Sequence, residues 1–273
     1  MKIASYNING IKARIGALTE WLREAEPDVV ILQEIKSVDE NFPHEPFEDL
    51  GYNVATHGQK SFNGVALLSK YPLEDVTRGL PGAEGAGREG DDIEARYIEA
   101  TVVGDVAVRI CGLYLPNGNP VAFEDDTPVL EGKFGYKIKW MQRLRARAQE
   151  LLALEEPFLM AGDYNVIPQD EDAARPEAWR RDALAVPETR REYRLLTGLG
   201  LTDALRVRNP APEVYTFWDF QRGAWQRNDG IRIDHFLLSP ACADLLTDCQ
   251  IDKEMRGREK PSDHVPIWIK LDA

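Results

Sequence analysis

Polar side chains of types that suit acid–base and metal chemistry lie at the ends of several short apolar runs of this sequence. Because α/β folds assemble their sites at strand ends, we expect these side chains to meet. The polar groups lie in six segments: Asn7-Ile8-Asn9, Gln33-Glu34, Tyr114-Leu115-Pro116-Asn117, Gly162-Asp163-Tyr164-Asn165, Asp234-His235 and Ser262-Asp263-His264. The sequence therefore predicts one site built from the whole chain.

Glu34 follows the apolar run Val29–Leu32. A carboxylate in such a place is costly unless it is paired or bound to a metal. One interpretation is a salt bridge to a nearby Lys or Arg. The other is a hard cation such as magnesium, which prefers one or two carboxylates together with waters and substrate phosphate.

Asp163 and Asn165 are two positions apart, so in an extended segment they face the same way. A carboxylate beside an amide can hold and deprotonate a water molecule. The alternative is a turn rich in Asp and Asn, which the preceding Gly162 favours.

His264 directly follows Asp263, so these two side chains point in different directions and do not pair easily. Asp234, at the end of another apolar run, is the natural carboxylate partner. An Asp–His pair keeps an imidazole protonated, and an imidazolium can stabilise charge on a phosphate. The alternative is a capped turn with an exposed histidine.

The elements that must position these groups alternate between apolar runs and helical patterns, which predicts an α/β domain. Helices are predicted at Ile11–Glu24, Lys137–Glu155 and Glu188–Gly198. Strands are predicted at Lys2–Tyr6, Val29–Leu32, Gly64–Ser69, Tyr97–Val103, Val106–Leu115, Pro157–Ala161, Ile231–Leu238 and Val265–Leu271. Several of these strands follow one another without a helix, which favours mixed sheets. Residues 1–273 contain no linker and are expected to form one domain, with long loops at 82–92, 119–132 and 168–187.

The net charge bears on whether the protein can bind nucleic acid. The 273 residues carry a formal net charge of −13, which disfavours non-specific binding to nucleic acid. Binding to DNA would therefore require a local basic patch and a cation. The three cysteines form no metal-binding or disulfide pattern. No apolar run is long enough for a membrane span and no signal-peptide pattern is present, so we expect a cytoplasmic protein without membrane contact.

Taken in order, the six segments resemble the exonuclease III family of abasic-site endonucleases, within the endonuclease/exonuclease/phosphatase superfamily. Leu32–Lys36, Asn63–Ala66 and Tyr215–Asp219 also resemble that family. The resemblance implies a four-layer α/β/β/α sandwich of two packed mixed sheets flanked by helices. It also implies a magnesium-dependent phosphodiesterase acting on DNA, with manganese as an alternative metal and with one or two metal ions.

The resemblance implies roles for the polar groups. Glu34 would bind the metal, with Asn7 and Asp263 as further or water-mediated ligands. Asp163 would activate the attacking water with the help of Asn165, and Asp234 would orient His264 toward the scissile phosphate. Tyr114 and Asn117 would contact phosphate or stabilise the leaving oxygen. Which group activates water and which serves the leaving group stays open at this point.

Substrate contacts are expected from aromatic and basic residues. In the family an aromatic residue at the position of Phe217 and Trp218 packs against the extruded abasic sugar; the alternative is that both belong to the core. Arg96, Lys133 and Lys137, with Arg143 and Arg147, would line a surface that contacts the DNA backbone; the alternative is solvated helix faces. Ile231 stands where animal members carry Trp, which leaves the preference for abasic sites over 3′ ends open.

The sequence therefore predicts a monomeric exodeoxyribonuclease III type of enzyme. It would cut 5′ to abasic sites and remove nucleotides or blocking groups from 3′ ends of duplex DNA. Two alternatives remain: a phosphoesterase of the same superfamily acting on an inositol phosphate, a phospholipid headgroup or RNA, and a catalytically inactive DNA-binding module.

Overall fold

The computed structural model describes residues 1–272. Its strands and helices are, in chain order, β1 (Lys2–Asn7), α1 (Ile11–Ala25), β2 (Val29–Gln33), α2 (Glu45–Glu48), β3 (Asn53–His57), β4 (Val65–Ser69), β5 (Leu73–Arg78), β6 (Tyr97–Val103), β7 (Ala107–Tyr114), β8 (Phe123–Glu124), β9 (Thr127–Pro128), α3 (Gly132–Leu152), β10 (Phe158–Asp163), α4 (Pro187–Thr197), β11 (Thr202–Asp203), α5 (Ala204–Arg208), β12 (Asp234–Leu238), α6 (Pro240–Ala243), β13 (Leu246–Ile251) and β14 (Ile267–Leu271). Short 3₁₀ turns occur at Asp39–Asn41, Asp170–Asp172, Pro176–Trp179 and Lys253–Gly257.

Two six-stranded mixed sheets form the centre of the molecule. The first has the strand order β13-β14-β1-β2-β4-β3, and the second has the order β11-β12-β10-β7-β6-β5. Within each sheet one central pair is parallel, β1 with β2 and β7 with β10, and the other neighbouring strands are antiparallel. The carboxyl ends of these parallel strands therefore lie at the same edge of their sheets.

Each central strand is buried on both faces, which explains its continuous apolar sequence. Ile31 of β2, Ile110 of β7 and Leu159 of β10 belong to one buried cluster between the sheets. The alternate residue Leu32 packs in a cluster with Trp21 of α1 on the outer face of the first sheet. On the outer face of the second sheet, strand residues such as Met160 pack with α3 and α4. The result is the expected four-layer α/β/β/α sandwich.

Among the strands that the sequence did not predict, β3, β5, β11 and β13 lie at sheet edges. Edge strands face solvent and carry polar residues, so they lack the continuous apolar run on which the prediction depended. β5, for example, has exposed residues at four of its six positions and a register shift between Glu74 and Thr77.

Four predicted boundaries or loops also differ from the structure. The strand predicted at Ile231–Leu238 begins only at Asp234, because Ile231 forms isolated bridges with Ala173 and Phe217 instead of joining the sheet. Helix α3 begins at Gly132 and ends at Leu152. The loop 119–132 contains the hairpin β8–β9, and two 3₁₀ turns lie within 168–187.

Across residues 1–272, none of the helices combines the length and the apolar character that a membrane crossing requires. All three cysteines are buried and unpaired.

Candidate active site

The ends of β1, β2, β7 and β10 bring the predicted polar residues together. The amide of Asn7, at the end of β1, donates to Glu34 Oε1 at 2.9 Å and to Asp163 Oδ2 at 3.0 Å. This one side chain thus joins the two sheets. Ser262 Oγ donates to the carbonyl of Asn7 at 2.7 Å and brings the Ser262–His264 segment to the same edge.

Several of these residues have a left-handed backbone conformation, which directs them toward the site. Asn9, Glu34, Lys36 and Asn165 have φ between 46° and 51°. Residues other than glycine rarely adopt such values, and they concentrate at functional sites. Gly162 has φ 153°, and a Cβ there would lie 1.8 Å from the carbonyl oxygen of Leu113. Only glycine therefore lets β10 approach β7 directly before Asp163.

Glu34, Asn7 and Asp263 form an oxygen-rich side of the site. Lys36 Nζ lies 2.9 Å from Glu34 Oε2 and donates to Asn9 Oδ1 at 2.5 Å. The Asn9 amide in turn donates to Asp263 Oδ1 at 3.0 Å. Both interpretations of Glu34, a salt bridge and a metal ligand, are compatible with this geometry. The salt bridge to Lys36 is present, and the carboxylate already lies against a positive charge, as it would beside a metal ion.

The chemistry of this side fits a hard divalent cation, since its carboxylate and amide oxygens are the donors that such ions prefer. Burial alone would raise the pKa of Glu34, but hydrogen bonds from Lys36 and Asn7 outweigh it and lower the pKa. The carboxylate is thus ionised and available as a ligand at neutral pH.

Asp234, His264 and Asp163 form a buried relay on the other side. His264 Nδ1 lies 2.9 Å from Asp234 Oδ2, and His264 Nε2 lies 3.6 Å from Asp163 Oδ2. All three side chains are at most 4% exposed. Asp234 Oδ1 is buried without a hydrogen-bond partner among residues 1–272.

The positive charge of His264 lies between the carboxyl groups of Asp234 and Asp163 in this relay. Burial lowers the pKa of His264, but Asp234 and Asp163 outweigh it and raise the pKa well above its ordinary value. Burial raises the pKa of Asp163, and His264 only partly opposes this shift. The imidazole is therefore protonated at neutral pH.

These three residues also lie close enough together to hold a metal ion. A protonated imidazole has no lone pair for a metal, however, and the imidazolium already supplies the positive charge between the two carboxylates. The Glu34 side offers carboxylate and amide oxygens, the donors that a hard divalent cation prefers.

Asn165 and Asn117 are held in place by hydrogen bonds. The backbone N–H of Asn165 donates to Asp163 Oδ1 at 2.8 Å, and its amide donates to the carbonyl of Leu115 at 2.9 Å. Asn117 Nδ2 donates to Asn165 Oδ1 at 3.1 Å. Asn165 thus fixes Asp163 and Asn117 relative to each other.

The structure does not place Lys137 on a surface that could meet DNA. Its side chain is fully buried, and Nζ donates to the carbonyls of Asn117 at 3.1 Å and Asn165 at 2.6 Å. Burial lowers the pKa of Lys137 to about 7. The expected phosphate contact is therefore replaced by a clamp on the two loops that carry Asn117 and Asn165.

Tyr114 lies in the site, and Arg96 lies behind it. The Arg96 guanidinium stacks 4.8 Å from the Tyr114 ring centre and pairs with Glu94 at 2.6 Å. Burial, with the charges of Glu34 and Asp163, raises the pKa of Tyr114, so its phenol remains a hydrogen-bond donor. Arg143 and Arg147 are likewise paired with Asp92 and Glu99.

Phe217 and Trp218 have different environments. The Phe217 ring lies 5.0 Å from the His264 ring, edge to face, and lines a cavity of about 180 Å³ together with Ile231 and Trp179. Trp218 is fully buried and packs against Trp225 with 5.0 Å between ring centres. The expectation of a substrate contact is thus corrected for Trp218, which is a core residue.

A buried ion network fixes the start of β12. Arg232 donates to Asp172 at 2.7 Å and to Asp203 at 2.8 Å, and its Nη1 lies 2.9 Å from His235 Nδ1. His235 Nε2 faces the carbonyl of Val166 at 3.0 Å. Nδ1 is therefore the acceptor, and His235 is a neutral structural residue.

This network predicts a loss of stability in acid. Burial, followed by the charge of Arg232, lowers the pKa of His235 from 6.5 to about 4. Between these values the unfolded chain takes up a proton that the folded protein refuses, so stability falls as the pH drops from 6.5 toward 4. The free energy of unfolding, measured with urea, should lose up to about 3 kcal/mol from this group. H235Q should flatten the dependence of the free energy of unfolding on pH, and H44Q should not. Equal pH slopes in wild type and H235Q would contradict the assignment of this effect to His235.

Asn9 was expected at the site but without a role, and Lys36 was not expected there. Each lies two positions after a residue that was given a role, Asn7 and Glu34. That spacing was the available signal.

Two packed mixed sheets with carboxylates, amides and an imidazolium at their common edge define an α/β sandwich of the kind that hydrolyses phosphoesters. The chain matches the endonuclease/exonuclease/phosphatase family over residues 4–264, and it belongs to this metal-dependent family.

Relatives and solved structures agree over the whole chain. Exodeoxyribonuclease III of Haemophilus influenzae is 36% identical over 99% of this chain and 100% of that protein. The DNA repair nuclease APEX1 of Danio rerio is 31% identical over 99% of this chain and 82% of its own length. Among solved structures, an AP endonuclease from Archaeoglobus fulgidus (TM-score 0.88) and a 3′-5′ exonuclease from Neisseria meningitidis (TM-score 0.89) are each 34% identical, with both chains fully covered.

Proposed function

We propose that this protein is a magnesium-dependent DNA repair phosphodiesterase of the exodeoxyribonuclease III type, active as a monomer. It cleaves 5′ to abasic sites and removes nucleotides or blocking groups from 3′ ends of duplex DNA. The relatives named above support a nuclease that acts on DNA, and a solved structure of the Neisseria protein is described as bound to product DNA hairpin. The observation that carries the proposal is the Asp234–His264–Asp163 relay beside the Glu34–Asn7 pair.

We assign the metal to Glu34, with Asn7 and Asp263 as direct or water-mediated ligands. A bound magnesium ion would neutralise charge on the phosphate during an in-line displacement. Lys36 and Asn9 hold these ligands in place through the contacts described above.

Asp163 is assigned as the group that takes the proton of the attacking water. It is buried, its pKa is raised by burial, and Asn7 and Asn165 fix both of its oxygens. A general base is most effective when its pKa lies near the working pH. Asn165 therefore acts as a positioning residue for this carboxylate.

His264 is assigned to the scissile phosphate. Asp234 holds Nδ1, which leaves the Nε2–H directed toward Asp163 and the space beside it. A fixed imidazolium donor stabilises the charge that develops on the phosphate oxygens. Tyr114 and Asn117 supply further donors, which we assign to the phosphate or the leaving oxygen.

Replacement of Glu34 by Gln tests the metal assignment. The amide keeps the shape of the side chain but loses the charge that attracts a divalent cation. The magnesium concentration for half-maximal DNA cleavage should rise by about 10-fold or more, the range that weakened metal sites show. The exposed E40Q variant is the matched control, and an E34Q titration that coincides with wild type would remove Glu34 from the ligand set.

The substrate proposal is tested with two end-labelled duplexes, one with an internal abasic analogue and one undamaged with a recessed 3′ end. Each is incubated with magnesium or with EDTA. Cleavage at the abasic position with magnesium alone supports the repair function, and the second duplex gives the ratio of endonuclease to exonuclease activity. Degradation from the 3′ end alone would discard the abasic preference.

The two alternatives are disfavoured by the relatives and by the site. A binding module has no need for a buried relay with an ionised metal ligand beside it. Folded, metal-loaded protein that cleaves neither of the two duplexes would contradict the proposal. The next substrates to test would then be inositol phosphates, phospholipid headgroups and RNA.

A further inference from the structure

A cavity of about 410 Å³ lies beside the catalytic groups, and Tyr114 and Asn117 form part of its wall. We call it the flanking cavity. Its other walls include Phe62, Arg88 and Lys133, none of which is needed for the chemistry assigned above. Because the cavity shares two residues with the site, whatever occupies it lies next to the reacting phosphate.

The lining of the flanking cavity is positive although the whole chain carries −13. It contains the cations Arg88, Arg96 and Lys133 against the single carboxylate of Glu94. Arg96 and Arg88 share that carboxylate at 2.6 Å each. Lys133 is exposed and forms no salt bridge among residues 1–272. The excess of positive charge therefore suits an anionic occupant.

Phe62 adds an exposed aromatic face to this positive wall. Its side chain is 69% exposed, and the amides of Gln59 and Asn63 lie in the same lining. An aromatic face beside cations is a combination that binds unpaired nucleotides, because bases stack on the ring and phosphates pair with the cations.

The loop that carries Arg88 is fastened to helix α3. Asp92, at the end of this loop, accepts hydrogen bonds from Tyr136 at 2.7 Å and from Arg143 at 2.6 Å. Arg88 is thus held over the cavity, while its side chain is half exposed and can reach a ligand.

We infer that the flanking cavity binds the nucleotide adjacent to the scissile phosphate, with Arg88 and Lys133 at its backbone phosphate and Phe62 against its base. This inference rests on the proposed function, since it requires a polynucleotide substrate. It assigns Arg88 and Phe62 to substrate binding, which their sequence positions did not suggest.

The test measures KM for the abasic duplex over a range of salt concentrations. Each of R88Q and K133Q should reduce the slope of log KM against log salt by about 0.9, the effect of one lost phosphate contact. F62A should raise KM by about 10-fold through lost stacking, with little change of slope. K70Q is the matched control, because exposed Lys70 directly follows β4 at the end opposite Glu34.

Duplexes that lack nucleotides on the 5′ or on the 3′ side of the cleaved bond show which neighbouring nucleotide binds in the flanking cavity. The ratio of wild-type to F62A kcat/KM should fall toward one when the truncation removes the nucleotide that the cavity binds. Equal salt slopes in R88Q, K133Q and K70Q, or a ratio that neither truncation lowers, would overturn the inference. If wild type cleaves no DNA, the proposed function fails instead, so the two failures are distinguishable.

Discussion

Replacing Asp163 by Asn is expected to slow magnesium-dependent DNA cleavage by about 10³-fold or more, in the upper range for loss of a general base. The Asn side chain keeps the shape and can still accept the hydrogen bond from Asn165, but it cannot take a proton from water. Single-turnover cleavage of the abasic duplex measures the loss directly.

Stability provides the control for D163N. Burial raises the pKa of Asp163 in the folded protein, so its ionised form costs stability above that pKa, and removal of the charge should not lower the melting temperature. A folded D163N protein with near-normal turnover would contradict the assignment of Asp163. A D170N variant, at an exposed carboxylate, should cleave at the wild-type rate.

Replacing His264 by Ala is expected to reduce turnover by about 10²- to 10³-fold, the loss observed for one donor to a developing negative charge. It also leaves Asp163 and Asp234 without the positive charge between them. The matched control is H44A, a histidine on another part of the chain. Equal turnover in H264A and H44A would remove His264 from the chemistry.

The pH profile tests how Asp234 acts on His264. Asp234 helps to raise the pKa of His264, so the imidazolium persists to alkaline pH in wild type. In D234N this support is lost and the pKa of His264 falls. The alkaline limb of the kcat profile should therefore move to lower pH, whereas a merely structural role for Asp234 would lower kcat without moving that limb.

The sequence predicted the central part of the fold because the central strands are buried on both faces. Val29–Leu32 and Phe158–Ala161 are continuous apolar runs for that reason. The edge strands β3, β5 and β13 were not predicted because their polar residues face solvent. The start of β12 was predicted wrongly because the bridges of Ile231 to Ala173 and Phe217 are tertiary contacts that no local pattern encodes.

The residue types of the candidate site were also predictable from the sequence, but the structural environments of several of its residues were not. Phe217 and Trp218 are adjacent in an extended segment and must face opposite ways, and nothing local decides which one meets His264. Lys137 looked like a surface cation, since lysine is rarely buried, yet its ammonium group clamps two loops. The left-handed turns at Glu34 and Asn165 depend on the packed strand ends around them.

The central claim is that Asp163 and His264, far apart in sequence, act together in one hydrolytic site. The most direct measurement is the single-turnover rate of abasic-duplex cleavage with magnesium for wild type, D163N, H264A and the double variant. Residues that act as a unit give grossly non-additive losses, so the double variant should be about as slow as the slower single variant. Losses that multiply would show that the two residues act independently and would contradict the account.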